Sequence, residues 1–204
     1  SMAQIVPHYP DVELVIVTHN PRLLSEYEHF CQEHHLEGHV HIEGAKTSDE
    51  LWQYYSSCDI FVQPSLVENF STTVLEAMAC GVAVVATRVG GVAEQLGQTG
   101  ILVTPGDSQD LFEAIAFLIK HPEFRRDLGK QARLRCQRLY SSDRFMSSYI
   151  DAYELAKESF ESRRGSVSIP PWLSRALLLA YRHRGRVTAK LWKRSLNHHI
   201  DGIQ

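Results

Sequence analysis

PSLVENFSTTVLEAMACGVAVVAT, residues 64 to 87, reads as a loop, a helix and a buried strand in succession. Gly81 stands where the helix should stop, in the C′ position that favours a left-handed residue. VAVVAT (82 to 87) is the β-branched run of a strand covered on both faces. Inside the helix, Glu76 interrupts Val74, Leu75, Ala77, Met78 and Ala79, which are apolar on every side. A helix hydrophobic all round is normally buried, and a buried carboxylate is costly unless something pairs with it. Two readings of Glu76 are open: a carboxylate at a solvent-facing slot, or a group that holds a ligand.

Working outward, the same alternation recurs. VELVIVT (12 to 18), HVHIEG (39 to 44), DIFVQP (59 to 64) and GILVT (100 to 104) are short strand-like runs. Between them lie a helix over PRLLSEYEHFCQEHHL, a second opened by a capping box of Thr47 with Glu50, and a short one after the VGG loop. Two helices split at Pro122 follow, and residues 143 to 160 read as a third. Strand and helix alternate about five times, which predicts an α/β fold, a Rossmann-like parallel sheet with helices on both faces. Ligands in such sheets sit at the carboxyl ends of the strands, here at 18–20, 44–46, 64–70, 87–91 and 104–107.

The composition is that of an ordinary globular chain, with 44% apolar and 22% charged residues in 204. The net charge of −3 hides an asymmetry: residues 1–165 carry 14 Lys/Arg against 23 Asp/Glu, and residues 166–204 carry 7 against 1. An acidic body, expected to be one domain over 1–165, is followed by a basic tail expected to be helical. Cys31, Cys58, Cys80 and Cys136 lie far apart in apolar segments, which suits reduced core residues of a cytoplasmic protein. The pairs His34/His35 and His198/His199 lack the spacing of a metal site. No stretch of 18 apolar residues and no signal peptide is present, and no G-x-G-x-x-G follows a strand, which disfavours a dinucleotide-dependent oxidoreductase. Ser1-Met2 is consistent with a cloning remnant on an excised fragment.

The acids provide the chemistry. Glu68 follows the strand that ends at Pro64, and Glu76 lies eight residues later on the next helix. A carboxylate can accept from two neighbouring hydroxyls at once, and the intervening NFSTT begins a helix whose free N–H groups favour a phosphate. Two hydroxyl-binding acids around one phosphate-binding helix start describe a nucleotide sugar.

PSLVENFSTTVLEAMACGVAVVATRVGGVAEQLGQTGILVTPGD resembles the donor-sugar, C-terminal domain of GT-B glycosyltransferases, in particular the large retaining group numbered family 4. The likeness rests on Pro-Ser before the first acid, the E-x7-E pair, Glu-Ala-Met-Ala, the Gly-Gly loop and TGILVTPGD, and covers about residues 12 to 155. It implies that Glu68, the catalytic candidate, approaches the hydroxyls of the transferred sugar. Asn69, Phe70 and Ser71 would present backbone N–H groups near them, Thr72 and Thr73 would face the diphosphate, and Glu76 would hold the ribose hydroxyls. Ala45 and Lys46 would border the nucleobase, and Gly90 and Gly91 would let the backbone turn. No essential metal and no cofactor is implied, since fixed donors offset the leaving group's charge.

The departures from the family pattern carry expectations too. Thr18-His19-Asn20 and Ser71 stand where the family usually has glycine, so their side chains should narrow the donor cleft unless Ser71 itself donates a hydrogen bond. Residues 1 to 11 are too few for the family's first strand and helix, whose strand is central in the sheet and whose basic residues grip the diphosphate. The acceptor would be bound through a missing N-terminal domain. The reading is thus the donor-binding domain of a glycosyltransferase of polysaccharide or glycolipid synthesis. The alternative is a catalytically silent domain kept for protein or membrane contact. No nucleic-acid partner is expected, and the tail, with Trp172, Leu173, Trp192 and its basic residues, suits either packing on the acidic body or on the missing N-terminal domain, or the anionic inner face of a membrane.

Overall fold

The computed structural model describes residues 1–18 and 20–164. A first compact unit runs from Ser1 to Ser141, and a second begins at Ser142. The first unit opens with a short helix, α1 (Met2–Ile5), and then alternates β1 (Leu14–Val17), α2 (Pro21–Glu33), β2 (Val40–Glu43), α3 (Ser48–Ser57), β3 (Ile60–Gln63), α4 (Thr72–Cys80), β4 (Ala83–Thr87), α5 (Val92–Leu96) and β5 (Ile101–Val103). It closes with α6 (Ser108–Lys120) and α7 (Pro122–Tyr140), while α8 (Ser142–Arg164) belongs to the second unit. The basic tail over 166–204 lies outside the described residues, as does His19.

The helix boundaries follow from local chemistry. Thr47 and Glu50 form the expected capping box, with the Thr47 hydroxyl accepting from Glu50 N–H and the Glu50 carboxylate accepting from Thr47 N–H at 2.7 Å. Ser71 caps α4, Asp107 caps α6 by accepting from Gln109 and Asp110 N–H, and Pro122 starts α7 where no N–H is needed. Gly81 ends α4 at φ 80°, the left-handed cap anticipated there.

All strand pairs are parallel, but the strands make two sheets, β1-β2 and β3-β4-β5, where one was expected. Among the described residues no ladder joins β1 to β3. Helix α1, which the sequence did not announce, adds its Ile5 to the core of the three-stranded sheet, with Met2 packed there and also against the β1-β2 layer.

Every residue of β4 is buried, and its side chains alternate. Val84 and Ala86 pack with α4, α5 and α7 on one face, while Ala83 and Val85 pack with α1 and α6 on the other. This strand is the centre of the layered core. Helix α7 approaches its start closely at Gly129, where a methyl group would stand 2.1 Å from the Gly81 carbonyl oxygen and 3.2 Å from the Ala83 nitrogen. The cysteines are all free; Cys31 and Cys136 are buried as expected, whereas Cys58 at the end of α3 is exposed.

Candidate functional site

The loops leaving β3 and β4 are locked together. Thr87, the last residue of β4, donates its hydroxyl to the Ser65 carbonyl at 2.5 Å, and Gly91 N–H donates to the Asn69 carbonyl at 2.7 Å. Gly90 has φ 47°, and a Cβ there would lie 1.8 Å from the Glu68 carbonyl oxygen. The Gly-Gly pair therefore does more than turn the chain: it lets the β4–α5 loop lie directly against the backbone of Glu68 and Asn69.

Behind the start of α4 runs a buried polar network. Gln95 on α5, fully buried, clamps Ser71 from both sides: its amide oxygen accepts from Ser71 N–H at 3.0 Å and its amide nitrogen donates to the Ser71 carbonyl at 2.8 Å. Ser71 is itself buried, so its side chain turns inward and does not narrow a cleft. Its hydroxyl accepts from Val74 N–H at 3.4 Å and meets the Thr73 hydroxyl at 2.8 Å. Thr73 in turn donates to the Gln63 side chain at 3.2 Å, and Gln63 donates to the Ser65 hydroxyl at 2.8 Å. Each buried polar group thus has a partner, the condition for such a network to rigidify a site. Arg135 of α7 holds α5 from the far side through the Gln95 and Glu94 carbonyls at 2.9 and 2.7 Å.

The two acids differ in setting. Glu68 is half-buried, and its carboxylate accepts from the N–H of its neighbour Asn69 at 2.9 Å. Glu76 is exposed, so α4 is not covered on every side. Only Val74, Ala77 and Met78 are fully inside, and the helix turns one edge to solvent at Thr72 and Glu76. The carboxylate nevertheless has a fixed partner. Tyr55 on α3 donates its hydroxyl to Glu76 Oε2 at 2.9 Å, with its ring buried edge-on against Phe61.

Of the other residues expected at the site, Phe70 is half-exposed and packs its ring edge-on to Tyr140, and Asn69 and Thr72 are exposed. Two of the three backbone N–H groups expected to face a ligand, those of Asn69 and Ser71, are already paired within the protein. Ala45 is exposed, and Lys46 pairs with Glu43 at 2.8 Å and lies over the Tyr54 ring, which holds its ammonium above the usual lysine range through the Glu43 bond. Helix α3 therefore carries the contacts of both Lys46 and Glu76 on adjacent tyrosines. The sequence reading missed Gln95, Gln63 and Tyr55. Gln95 had a signal: it falls three residues after Val92 and beside Leu96 on the buried face of a short helix.

Residues 1–135 match the family model of glycosyl transferases group 1. The N-acetyl-alpha-D-glucosaminyl L-malate synthase of Bacillus anthracis is 32% identical over 155 residues, which cover 75% of this chain and 40% of the relative. A sulfoquinovosyl transferase of Arabidopsis thaliana is 43% identical over 95 residues, 44% of this chain and 19% of that protein. Among solved structures, a sucrose-phosphate synthase from Thermosynechococcus elongatus superposes with a TM-score of 0.68 at 30% identity, covering 79% of this chain and 42% of that one. HepE of Anabaena, solved in complex with UDP, superposes with a TM-score of 0.64 at 25% identity over 79% of this chain and 43% of its own. The chain spans less than half the length of each of these relatives. With its parallel sheets, flanking helices and the matched segment running from α1 into α7, the chain has the GT-B glycosyltransferase fold and belongs to the group 1 glycosyl transferases.

Proposed function

We propose that this chain is the donor-binding part of a retaining glycosyltransferase that moves a sugar from a nucleotide sugar to an acceptor in polysaccharide or glycolipid synthesis. The observation that carries the reading is the pairing of an exposed but tethered Glu76 with a half-buried Glu68 around the capped start of α4. Glu68 meets the transferred sugar, flanked by the Asn69 and Phe70 backbone; Thr72 at the helix start lies toward the diphosphate, while the Thr73 hydroxyl is engaged by Ser71 and Gln63 behind it; Glu76 receives the ribose hydroxyls. The nucleobase lies toward Ala45 and Lys46. The UDP bound by HepE supports a nucleoside diphosphate as the ligand class. The acceptor belongs to a second domain, as the share of each relative left unmatched suggests.

Glu76→Gln keeps the size of the side chain but weakens charge-assisted hydrogen bonds worth about 1.5–3 kcal/mol, so affinity for the nucleotide sugar should fall at least about tenfold. A calorimetric titration in which Glu76→Gln binds as tightly as the parent would remove Glu76 from the site.

The tail enters the proposal through composition alone. Residues 166–204 carry 7 basic residues against 1 acidic, with two tryptophans, and each Lys or Arg near an anionic surface contributes about 1 kcal/mol. Among the described residues no helix is long and apolar enough to cross a membrane. On its charge and its two tryptophans the tail is assigned a peripheral role at an anionic membrane, where a lipid-linked acceptor would be met. Flotation with phosphatidylserine-containing vesicles should weaken with added salt and cease when 166–204 are deleted; equal flotation without them would refute the role.

A further inference from the structure

Tyr55 has no role in the site as described so far beyond touching it. Its geometry is that of an orienting group. The ring is 8% exposed and set edge-on to Phe61 at 5.5 Å between centroids, so the hydroxyl has one direction in which to point. That direction ends on Glu76 Oε2 at 2.9 Å. The phenol is driven well above the usual tyrosine range, first by burial and then by the Glu76 carboxylate, so it stays protonated and donates at any working pH. A glutamate at an exposed helix position would otherwise sample several rotamers, and fixing one oxygen removes that freedom before a ligand arrives.

From this we propose that Tyr55 is a positioning residue that sets the discrimination for ribose: by holding Glu76 Oε2 it presents the remaining acceptor sites of that carboxylate in one orientation to the vicinal hydroxyls of a nucleoside diphosphate. The proposal rests on the donor-binding reading of Glu76 given above. It differs from a packing role because its consequence is carried by the hydroxyls of the ligand. Removing the phenol oxygen leaves the ring and its contact with Phe61 in place. What changes is the pre-organisation of a carboxylate that only ribose hydroxyls can sense.

The test is an NMR titration of the 204-residue chain with UDP, GDP and ADP, each paired with its 2′,3′-dideoxy counterpart, using the pair whose ribonucleotide binds tightest. Tyr55→Phe should weaken the ribonucleotide about three- to tenfold, the loss of one hydrogen bond, and leave the dideoxynucleotide within about twofold. Combined with Glu76→Gln it should add no further loss. Equal weakening of both ligands, or of neither, would overturn the role of Tyr55 while leaving the donor site standing. If Glu76→Gln alone has no effect on the ribonucleotide, or none of the three diphosphates binds, the donor-binding reading falls and this inference with it.

Discussion

Gly129→Ala is expected to lower the unfolding temperature of the chain by up to about 8 °C, even though alanine is the better helix former. In an exposed helix interior the exchange would gain about 1 kcal/mol. Gly129 is in the middle of α7, however, where the helix presses on the end of α4 and the start of β4. The added methyl group would meet the Gly81 carbonyl oxygen at 2.1 Å and its carbon at 2.9 Å, both backbone atoms of the left-handed cap. Backbone cannot rotate away as a side chain can. Either α7 moves away and draws its own Ala132 and Cys136 out of the core they share with Val74, Ala77 and Val84, or the cap of α4 unwinds. Overpacking of this kind costs about 1–3 kcal/mol and occasionally more, and about 2–4 °C accompanies each kcal/mol in a chain of this size. Thermal unfolding followed by circular dichroism checks it. Gly38→Ala is the matched control, since nothing lies within 4 Å of the added group there, and it should be close to neutral. Equal unfolding temperatures for the two variants would mean that the α7 contact is not the constraint it is taken to be.

Periodicity made the strands and most helices of this chain legible in its sequence, because each buries a face that two- or 3.6-residue spacing reveals. β4 is the clearest case: VAVVAT can only be a strand covered on both sides, and Val84/Ala86 and Ala83/Val85 do divide between two helical layers. What periodicity does not carry is pairing between elements distant in sequence. It gave no hint that β1 and β3 would be left in separate sheets, or that a four-residue α1 would contribute Ile5 to the core. The Thr47–Glu50 box was legible because both partners lie within one turn. The clamp of Gln95 on Ser71 was not, because 24 residues separate them and a glutamine has no spacing rule.

Glu76 shows how an argument from cost divides. The apolar neighbours implied a buried carboxylate in need of a partner, and the helix in fact exposes it. The solvent-facing reading is therefore right about burial. The partner exists as well, since Tyr55 bonds one oxygen. An exposed acid has no need of a buried phenol for stability, as water would solvate it. The bond satisfies the tyrosine, whose hydroxyl would otherwise be buried without an acceptor, and it also fixes the acid. Ser71 corrects an expectation in the opposite direction. A side chain in place of glycine was expected to crowd the cleft, but buried beside Gln95 and Thr73 it stiffens the start of α4 from behind.

On the donor-binding reading proposed above, Gly90→Ala should then abolish most donor binding while the layered core stays folded. Two effects add. Alanine at φ 47° pays about 1–2 kcal/mol for left-handed backbone, and its Cβ would lie 1.8 Å from the Glu68 carbonyl oxygen, 2.8 Å from its carbon and 3.0 Å from the Asn69 oxygen. The loop has to part from residues 68 and 69, which breaks the bond from Gly91 N–H to the Asn69 carbonyl. The three core clusters contain none of the loop residues Glu68, Asn69, Gly90 and Gly91, so the layers themselves can stay folded. Glu68 cannot stay where it was. A displacement of about 1 Å at a positioned group is enough to lose its hydrogen bonds to a ligand, and a charge-assisted pair is worth about 1.5–3 kcal/mol, or some ten- to hundredfold in affinity. Affinity for a nucleotide sugar should therefore fall by about thirtyfold or more, while Glu68→Gln in the Gly90→Ala background should cost little beyond that, because the acid is already out of place. Titration of the two single variants and the double variant measures both. Undiminished affinity in Gly90→Ala would mean that the contact between the β3–α4 and β4–α5 loops does not position Glu68; additive losses would mean that Glu68 acts independently of the glycine that supports it.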